Sequence, residues 1–397
     1  MFAKYLPNFG WNPWVLTRSL SHDDPRFNEK MTIDFTEKVF NQIIKIKYSL
    51  HDEQKYLESR SLFKIIRDFF YPEYSSPPGV FFAAKKAAEQ LLNSQRFDII
   101  LATIPDQWEL TLGAYLSRKY HVPLIADFRD IREQERGLKL NFRQRLQSSR
   151  FAMRRRFTIR QASGVTTVSK YHRKVLQKKF GKPTFLIYNG FDSEIFTPSA
   201  IRKYSAGPFR IVYMGRILDL WYRNPEVLFT AIDQLIFEGC IEKHDITVEF
   251  YGTDCEKLDG LVKMLRSPTF IRFNDRINYT DVPQKLGEAQ MVLLLTNFER
   301  KGILTTKLFE YAGVRKPILC IPGDQGELDE IISHYGLGYS FSSVSELKVK
   351  LVEWLGVFKS GEFPECVESK IEIFTRKNQT AALSKHLDGI ISSSFKN

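Results

Sequence analysis

From residue 80 onward the chain alternates short apolar runs with longer segments whose apolar residues recur every three or four positions. "FFAAKKAAEQLLNSQ" (81–95) has the helical period, and "FDIILAT" (97–103) is an apolar run of strand length. The alternation continues with "WELTLGAYLSRKY" as helix and "VPLIADF" as strand. An arginine-rich helix follows, then "GVTTVS" as strand, "KYHRKVLQKKF" as helix and "TFLIYNG" as strand. Strands with few polar positions are buried on both faces. Repeated strand–helix units therefore predict a parallel sheet covered by helices on each side.

After residues 189–208, rich in Pro, Ser and Gly, the pattern restarts. "FRIVYMG", "ITVEFYG", "TFIRFN", "MVLLLT" and "KPILCI" are predicted strands. "NPEVLFTAIDQLIFEG", "TDCEKLDGLVKML", "DVPQKLGEA" and "GELDEIISHY" are predicted helices, followed by a terminal helical run. The fold class expected is α/β with two doubly wound domains, over 1–190 and 191–370, and a C-terminal helical segment at 371–397. Such sheets bind ligands beyond the carboxyl ends of their strands. That singles out Thr103, Asp127, Ser169, Asn189, Gly215, Gly252 and Thr296. Residues 18–80 have no clean period, apart from a helix at "SLFKIIRDFFYPEY".

A hydrophobic fraction of 43% in 397 residues supports sizeable cores and excludes global disorder. No uncharged apolar stretch is long enough to span a bilayer. The start, "MFAKYLPNFGWNPWVLT", lacks the features of a signal peptide. Cys240, Cys255, Cys320 and Cys366 are far apart, as free thiols in a reducing compartment would be. A cytoplasmic protein is expected, peripheral on the inner face of the membrane if it meets lipid. The net charge of +12 favours anionic partners. Seven arginines and no acid lie within 143–161. This stretch is either a solvated helix face or a patch for an anionic membrane surface. No nucleic-acid-binding motif accompanies it, so no nucleic-acid partner is expected.

Two segments of the second domain hold candidate chemistry. In "YMGRILDLWYRNPEVLFTAI" (213–232) a strand ends at Gly215, whose missing side chain admits a ligand to the backbone. Asn224 is placed as N-cap, with Pro225 first in the next helix. Arg216 and Arg223 flank the loop and could clamp phosphate oxygens, or be solvated loop residues. In "TTKLFEYAGVRKPIL" (305–319) one threonine is expected to cap the helix. Capping leaves the second threonine unexplained, and Lys307 in the first turn opposes the helix dipole. A helix start with hydroxyls and a lysine suits a diphosphate. Glu310, one turn on, could accept from two ribose hydroxyls. The helix is expected to end at Gly313.

The "GR" after the first strand of this domain, "FYG" and "TKLFEYAGVRKPIL" together resemble the donor half of GT-B glycosyltransferases, most of all the family-4-like group (glycosyl transferase group 1). "IILATIPDQWELTLGAYLSRKYHVPLIADFRD", "TTVSKYHRKVLQKKFGKP" and "IYNGFD" resemble the first half of the same group. The resemblance covers roughly residues 80–390 and reaches into "FAKYLPNFGWNPWVLT". It implies two Rossmann-like domains facing a cleft, the first on the acceptor side, with a last helix crossing back to it. Glu310 would hold the ribose of a nucleotide-sugar. Thr305, Thr306 and Lys307 would meet its diphosphate or sugar. Arg216 and Arg223 would neutralise phosphate, Gly215 would give room, and backbone near Arg276 and Ile277 would border the base. The substrate implied is a UDP- or GDP-sugar, with no cofactor and usually no metal. No DxD stands in a strand-end loop.

Two departures from the family pattern stand out. Retaining members often carry a second glutamate eight residues before the ribose glutamate; that position is Gly302, and Glu299 is out of register. Members also open with a strand and a glycine-rich loop before the helix that "FAKYLPNFG" resembles. The fold expected is thus GT-B without the first strand of its N-terminal domain, with that strand encoded in frame upstream. On the acceptor side, Asp127 and Asp130 of "IADFRD" are candidate catalytic acids, against a structural reading in which Asp127 pairs with Arg129. None of the seven histidines sits at a convincing strand end. The function expected is transfer of a sugar from a nucleotide-diphosphate sugar to a saccharide or lipid-linked acceptor in surface polysaccharide or glycolipid assembly. A GT-B nucleotide-sugar epimerase and a non-catalytic GT-B binding protein are the alternatives.

Overall fold

The computed structural model describes residues 2–19, 42–47, 54–55, 58–59, 61–70, 79–104, 107–131, 142–196, 207–217, 220–221, 223–296, 301–362 and 370–394. His22, His51, Glu299, Cys366 and most of the 190–208 boundary stretch that follows Phe196 lie outside them. The chain forms two compact units, Met1–Tyr188 with Gln379–Asn397, and Asn189–Asn378.

The first unit holds β1 (Val15–Ser19), β2 (Ile43–Lys47), β3 (Ile100–Ile104), β4 (Leu124–Phe128), β5 (Ala162–Thr167) and β6 (Thr184–Leu186). β3, β4, β5 and β6 pair in that order, all parallel, while β1 and β2 form a separate parallel pair. β4 is buried at every position, including Asp127 among its apolar residues. Helices Gln107–Tyr120, Phe142–Ile159 and Lys170–Phe180 connect the strands. One core cluster joins Leu110, Leu124, Phe128, Val165 and Leu176. Another joins Phe2, Leu6, Ile125 and Ile187 to Leu383 and Leu387 of the last helix, Arg376–Ser394.

The second unit is one parallel sheet of β7 (Phe209–Met214), β8 (Ile246–Tyr251), β9 (Ile271–Asn274), β10 (Met291–Leu295), β11 (Ile318–Ile321) and β12 (Gly338–Ser340). Its order is β12-β11-β10-β7-β8-β9. Counted within the unit this is 6-5-4-1-2-3, the doubly wound order of nucleotide-binding sheets. β8, β10 and β11 are buried throughout, whereas the edge strands β9 and β12 expose Phe273 and Tyr339. The order reverses between β7 and β10, so the switch point lies where Gly215 and Thr296 follow their strands.

The predicted helix over "TDCEKLDGLVKML" is instead a 3-10 turn at Cys255–Lys257 and one helical turn at Asp259–Val262. Leu258 is its one fully buried side chain, too little apolar surface to hold a long helix against the sheet. Helix Glu226–Phe237 begins one residue later than the predicted Asn224 cap implies, with Pro225 in the cap position. Asn224 still serves the helix start: its Oδ1 accepts from the Glu226 backbone N–H at 2.9 Å.

Candidate active site

β7 delivers Gly215 at φ 109°, in the region that favours glycine. Its N–H donates to Tyr251 O at 2.8 Å, and its carbonyl accepts from Thr253 Oγ1 at 2.6 Å. The backbone is thus locked to the neighbouring strand end. A Cβ at 215 would lie 3.0 Å from both Cε and Nζ of Lys307. The glycine is therefore needed twice, for its dihedral and for the room it leaves the lysine.

Lys307 lies in the first turn of helix Thr306–Val314. That helix is pinned to the sheet by the Met214 N–H, which donates to Tyr311 Oη at 3.1 Å. Gly313 lies inside this helix rather than ending it, and Arg315 takes the left-handed terminal position at φ 60°. A Cβ at 313 would sit 2.7 Å from the Phe191 ring, so this glycine serves helix packing.

Lys307 Nζ sits 5.5 Å from the centre of the Tyr213 ring. No carboxylate lies within ion-pair distance of it among the described residues. Burial, the neighbouring Arg223 charge and only partial compensation by Glu310 bring its ammonium down to about 8. Arg223 Nη1 donates to Arg216 O at 2.7 Å, a carbonyl that Tyr213 Oη also reaches at 3.3 Å. Arg216 itself is exposed. Two cations, Arg223 and Lys307, are thus gathered at the switch point with little negative charge between them.

The expectation that a threonine caps this helix through its side chain does not hold. Thr305 occupies the N-cap position at φ −68° and ψ 156°, but its side chain makes no cap hydrogen bond. Its Oγ1 is buried without a hydrogen-bond partner. Thr306 opens the helix and is exposed. A buried hydroxyl left unpaired at a helix start costs free energy in the free protein, and an acceptor arriving there removes that cost.

Glu310 Oε1 accepts from Tyr279 Oη at 2.8 Å and lies 3.7 Å from Arg376 Nη2. Arg276 and Ile277 follow β9. Arg276 packs over Gly252, whose added Cβ would meet Arg276 Cβ at 3.4 Å. Gly252 N–H donates to Asn274 O at 3.0 Å, so the ends of β7, β8 and β9 are linked in series. The donor-side candidates Gly215, Arg216, Arg223, Thr305, Thr306, Lys307 and Glu310 lie around the β7 end and the helix that faces it. Arg276 and Ile277 sit along the same rim. Gly302 stands at φ 80°, a backbone that no glutamate adopts without strain.

Asp127 and Asp130 belong to the first unit. Asp127 has no exposed surface. It accepts from Thr103 Oγ1 at 3.1 Å, Thr166 Oγ1 at 2.7 Å and Arg129 Nε at 2.9 Å. These bonds tie β3, β4 and β5 together, and so enclosed a carboxylate does not reach an acceptor. The structural reading of Asp127, paired with Arg129, is the one the geometry supports. Asp130 is exposed at the bend after β4, and desolvation by the surrounding protein raises its carboxyl above the usual range.

The sequence reading missed Tyr279 and Arg376. Both lie outside strand ends, and nothing in their local pattern shows that they converge on Glu310.

Residues 1–195 match the family described as Glycosyltransferase Family 4. Anabaena HepE, solved in complex with UDP-glucose, is 19% identical, with 78% of this chain and 82% of that chain covered and a TM-score of 0.55. Sucrose-phosphate synthase from Thermosynechococcus elongatus is 14% identical, with 100% and 90% covered and a TM-score of 0.60. The lipopolysaccharide outer core galactosyltransferase WaaB is 12% identical, with 92% and 88% covered and a TM-score of 0.51. At these identities the likeness speaks for the fold. No curated protein sequence matches the chain. With its two Rossmann-like units the chain has the GT-B fold, and its match to the Glycosyltransferase Family 4 model spans residues 1–195.

Proposed function

We propose that the chain transfers a sugar from a nucleotide-diphosphate sugar to an acceptor, in surface polysaccharide or glycolipid assembly. The observation that carries this reading is Lys307. It is a largely enclosed ammonium with no carboxylate partner in ion-pair reach among the described residues, beside Arg223 and an unpaired Thr305 hydroxyl, at a helix start on the switch point of a doubly wound sheet. An unsatisfied positive site of this kind suits a diphosphate. HepE, solved with UDP-glucose on the same fold, supports a nucleotide-sugar as the ligand.

In the reaction the bond between the anomeric carbon and the diphosphate oxygen breaks, and the acceptor oxygen bonds to that carbon. Negative charge grows on the leaving nucleoside diphosphate. Lys307, Arg223, Arg216 and the N–H groups at the start of helix Thr306–Val314 offset that charge in place before the bond breaks. Glu310 accepts from the ribose hydroxyls. Backbone near Arg276 and Ile277 borders the base. In this reading the first unit serves the acceptor. Its helix Phe142–Ile159 exposes Arg145 and Arg156 beside Leu146, Met153 and Phe157, with Arg154 half-buried, a composition suited to an anionic membrane surface.

Calorimetry with UDP and GDP tests the donor site. Glu310→Ala is expected to weaken binding by about 1–3 kcal/mol, the scale of losing a charged hydrogen-bond partner. Unchanged affinity defeats the assignment. Liposome binding that ignores salt would remove the electrostatic role of the arginine-rich helix.

A further inference from the structure

Glu310 is held from outside its own helix. Tyr279, in the turn that follows β9, donates its hydroxyl hydrogen to Glu310 Oε1 at 2.8 Å. Arg376 Nη2 donates to Tyr279 Oη at 3.2 Å and stands 3.7 Å from the same Glu310 oxygen. Arg376 is itself fixed on its other sides. Its Nε donates to Gly190 O at 3.1 Å, its backbone N–H donates to Phe191 O at 2.8 Å, and its Nη1 lies 3.9 Å from Oδ2 of the fully buried Asp192. The guanidinium thus bridges two carboxylates, Asp192 and Glu310, with the tyrosine hydroxyl between it and the second.

We propose that Tyr279 and Arg376 are positioning residues for the nucleotide, acting through Glu310; the inference rests on the reading of Glu310 as the ribose ligand. A surface glutamate samples many rotamers. Here one oxygen is anchored by a hydroxyl whose ring packs edge-on against Phe196, at 6.2 Å between ring centres and 74° between planes. The other oxygen, Oε2, has no hydrogen bond to protein among the described residues. A carboxylate held at one oxygen offers the second at a defined point, which suits the adjacent hydroxyls of a ribose. Burial, and then the Glu310 charge, push the Tyr279 hydroxyl far above its ordinary range, so it stays protonated and acts as donor to the carboxylate. Arg376 supplies the positive charge that keeps a half-enclosed carboxylate and a buried hydroxyl in this arrangement.

The test is calorimetric binding to the full chain of UDP and GDP, their 2′,3′-dideoxy analogues and inorganic pyrophosphate. Tyr279→Phe keeps the ring and its packing, and a thermal melt checks that the fold is kept. The expected result is a loss of about 5- to 10-fold in UDP or GDP affinity, with pyrophosphate and the dideoxy analogues bound as before. Tyr279→Phe added to Glu310→Gln is expected to weaken binding no further than Glu310→Gln alone. Wild-type affinity in Tyr279→Phe, while Glu310→Gln is weakened, overturns the positioning role and leaves the donor site standing. An equal loss for all three ligand types shows a general structural effect and also overturns it. Wild-type affinity in both Lys307→Ala and Glu310→Gln, or no nucleotide binding at all, overturns the donor site and this inference together.

Discussion

Asp127 in the first unit and Lys307 in the second are both charged residues placed by a parallel sheet near the carboxyl ends of its strands. Asp127 receives hydrogen bonds from two threonines and an arginine and has no surface left. Lys307 faces another cation and, among the described residues, has no carboxylate in ion-pair reach. Position in the fold is therefore a weak guide to role. A strand-end charge that the protein satisfies internally holds the sheet together. One that it leaves uncompensated is held ready for something that arrives.

The largest effect is expected at Asp127. Asp127→Ala leaves the buried Thr166 hydroxyl without its acceptor and removes one partner of the half-buried Arg129, and urea unfolding should show a loss of about 1–3 kcal/mol. UDP or GDP affinity should be unchanged in the folded fraction. A variant of native stability would end the claim that this carboxylate is structural. Lys307→Ala should behave in the opposite way. Calorimetry should find nucleotide affinity down by about 10- to 100-fold, with no loss of melting temperature.

The same contrast can be sharpened with pH. Lys307 titrates near 8, below its ordinary 10.5, because the charged form is disfavoured in the fold. Its charge thus costs stability below about 8, and that cost is relieved as pH rises toward 10.5. Diphosphate binding needs the charged form, so affinity should fall as pH rises through 8. Lys307→Ala should flatten that dependence in a calorimetric series. The smallest effect is expected at Gly215. Gly215→Ala meets Lys307 at 3.0 Å and holds alanine at φ 109°, with an expected loss of about 1–2 kcal/mol in stability by chemical denaturation. A modest weakening of nucleotide binding should accompany it.

The strands that carry the site were legible because burial on both faces leaves short runs dominated by apolar residues. β7, β8, β10 and β11 follow "FRIVYM", "ITVEFY", "MVLLL" and "ILCI". β1 and β2, "VLTRS" and "IIKIK", were not legible: five residues each, with charged positions between the apolar ones, and 23 residues between them. β12 is three residues at a sheet edge, too short for any period. Within the site, Lys307 and Glu310 stood out because a lysine in a first turn and a carboxylate one turn on need a reason. The unpaired state of the Thr305 hydroxyl was not legible, since composition shows a residue suited to capping but not whether its rotamer turns to the backbone. Tyr279 and Arg376 reach Glu310 across 31 and 66 residues of chain, and only the fold brings them together.

The last helix has a consequence for the order in which the protein takes shape. The second unit is continuous from Asn189 to Asn378, so all of its strands are available once that stretch has left the ribosome. The cluster that seats Phe2 and Leu6 is completed by Leu383 and Leu387. Phe2 and Leu6 therefore wait for Leu383 and Leu387, made much later, before their apolar surface is covered. A chain that stops short of residue 383 would leave that cluster open around Phe2 and Leu6, hundreds of residues away from the cut.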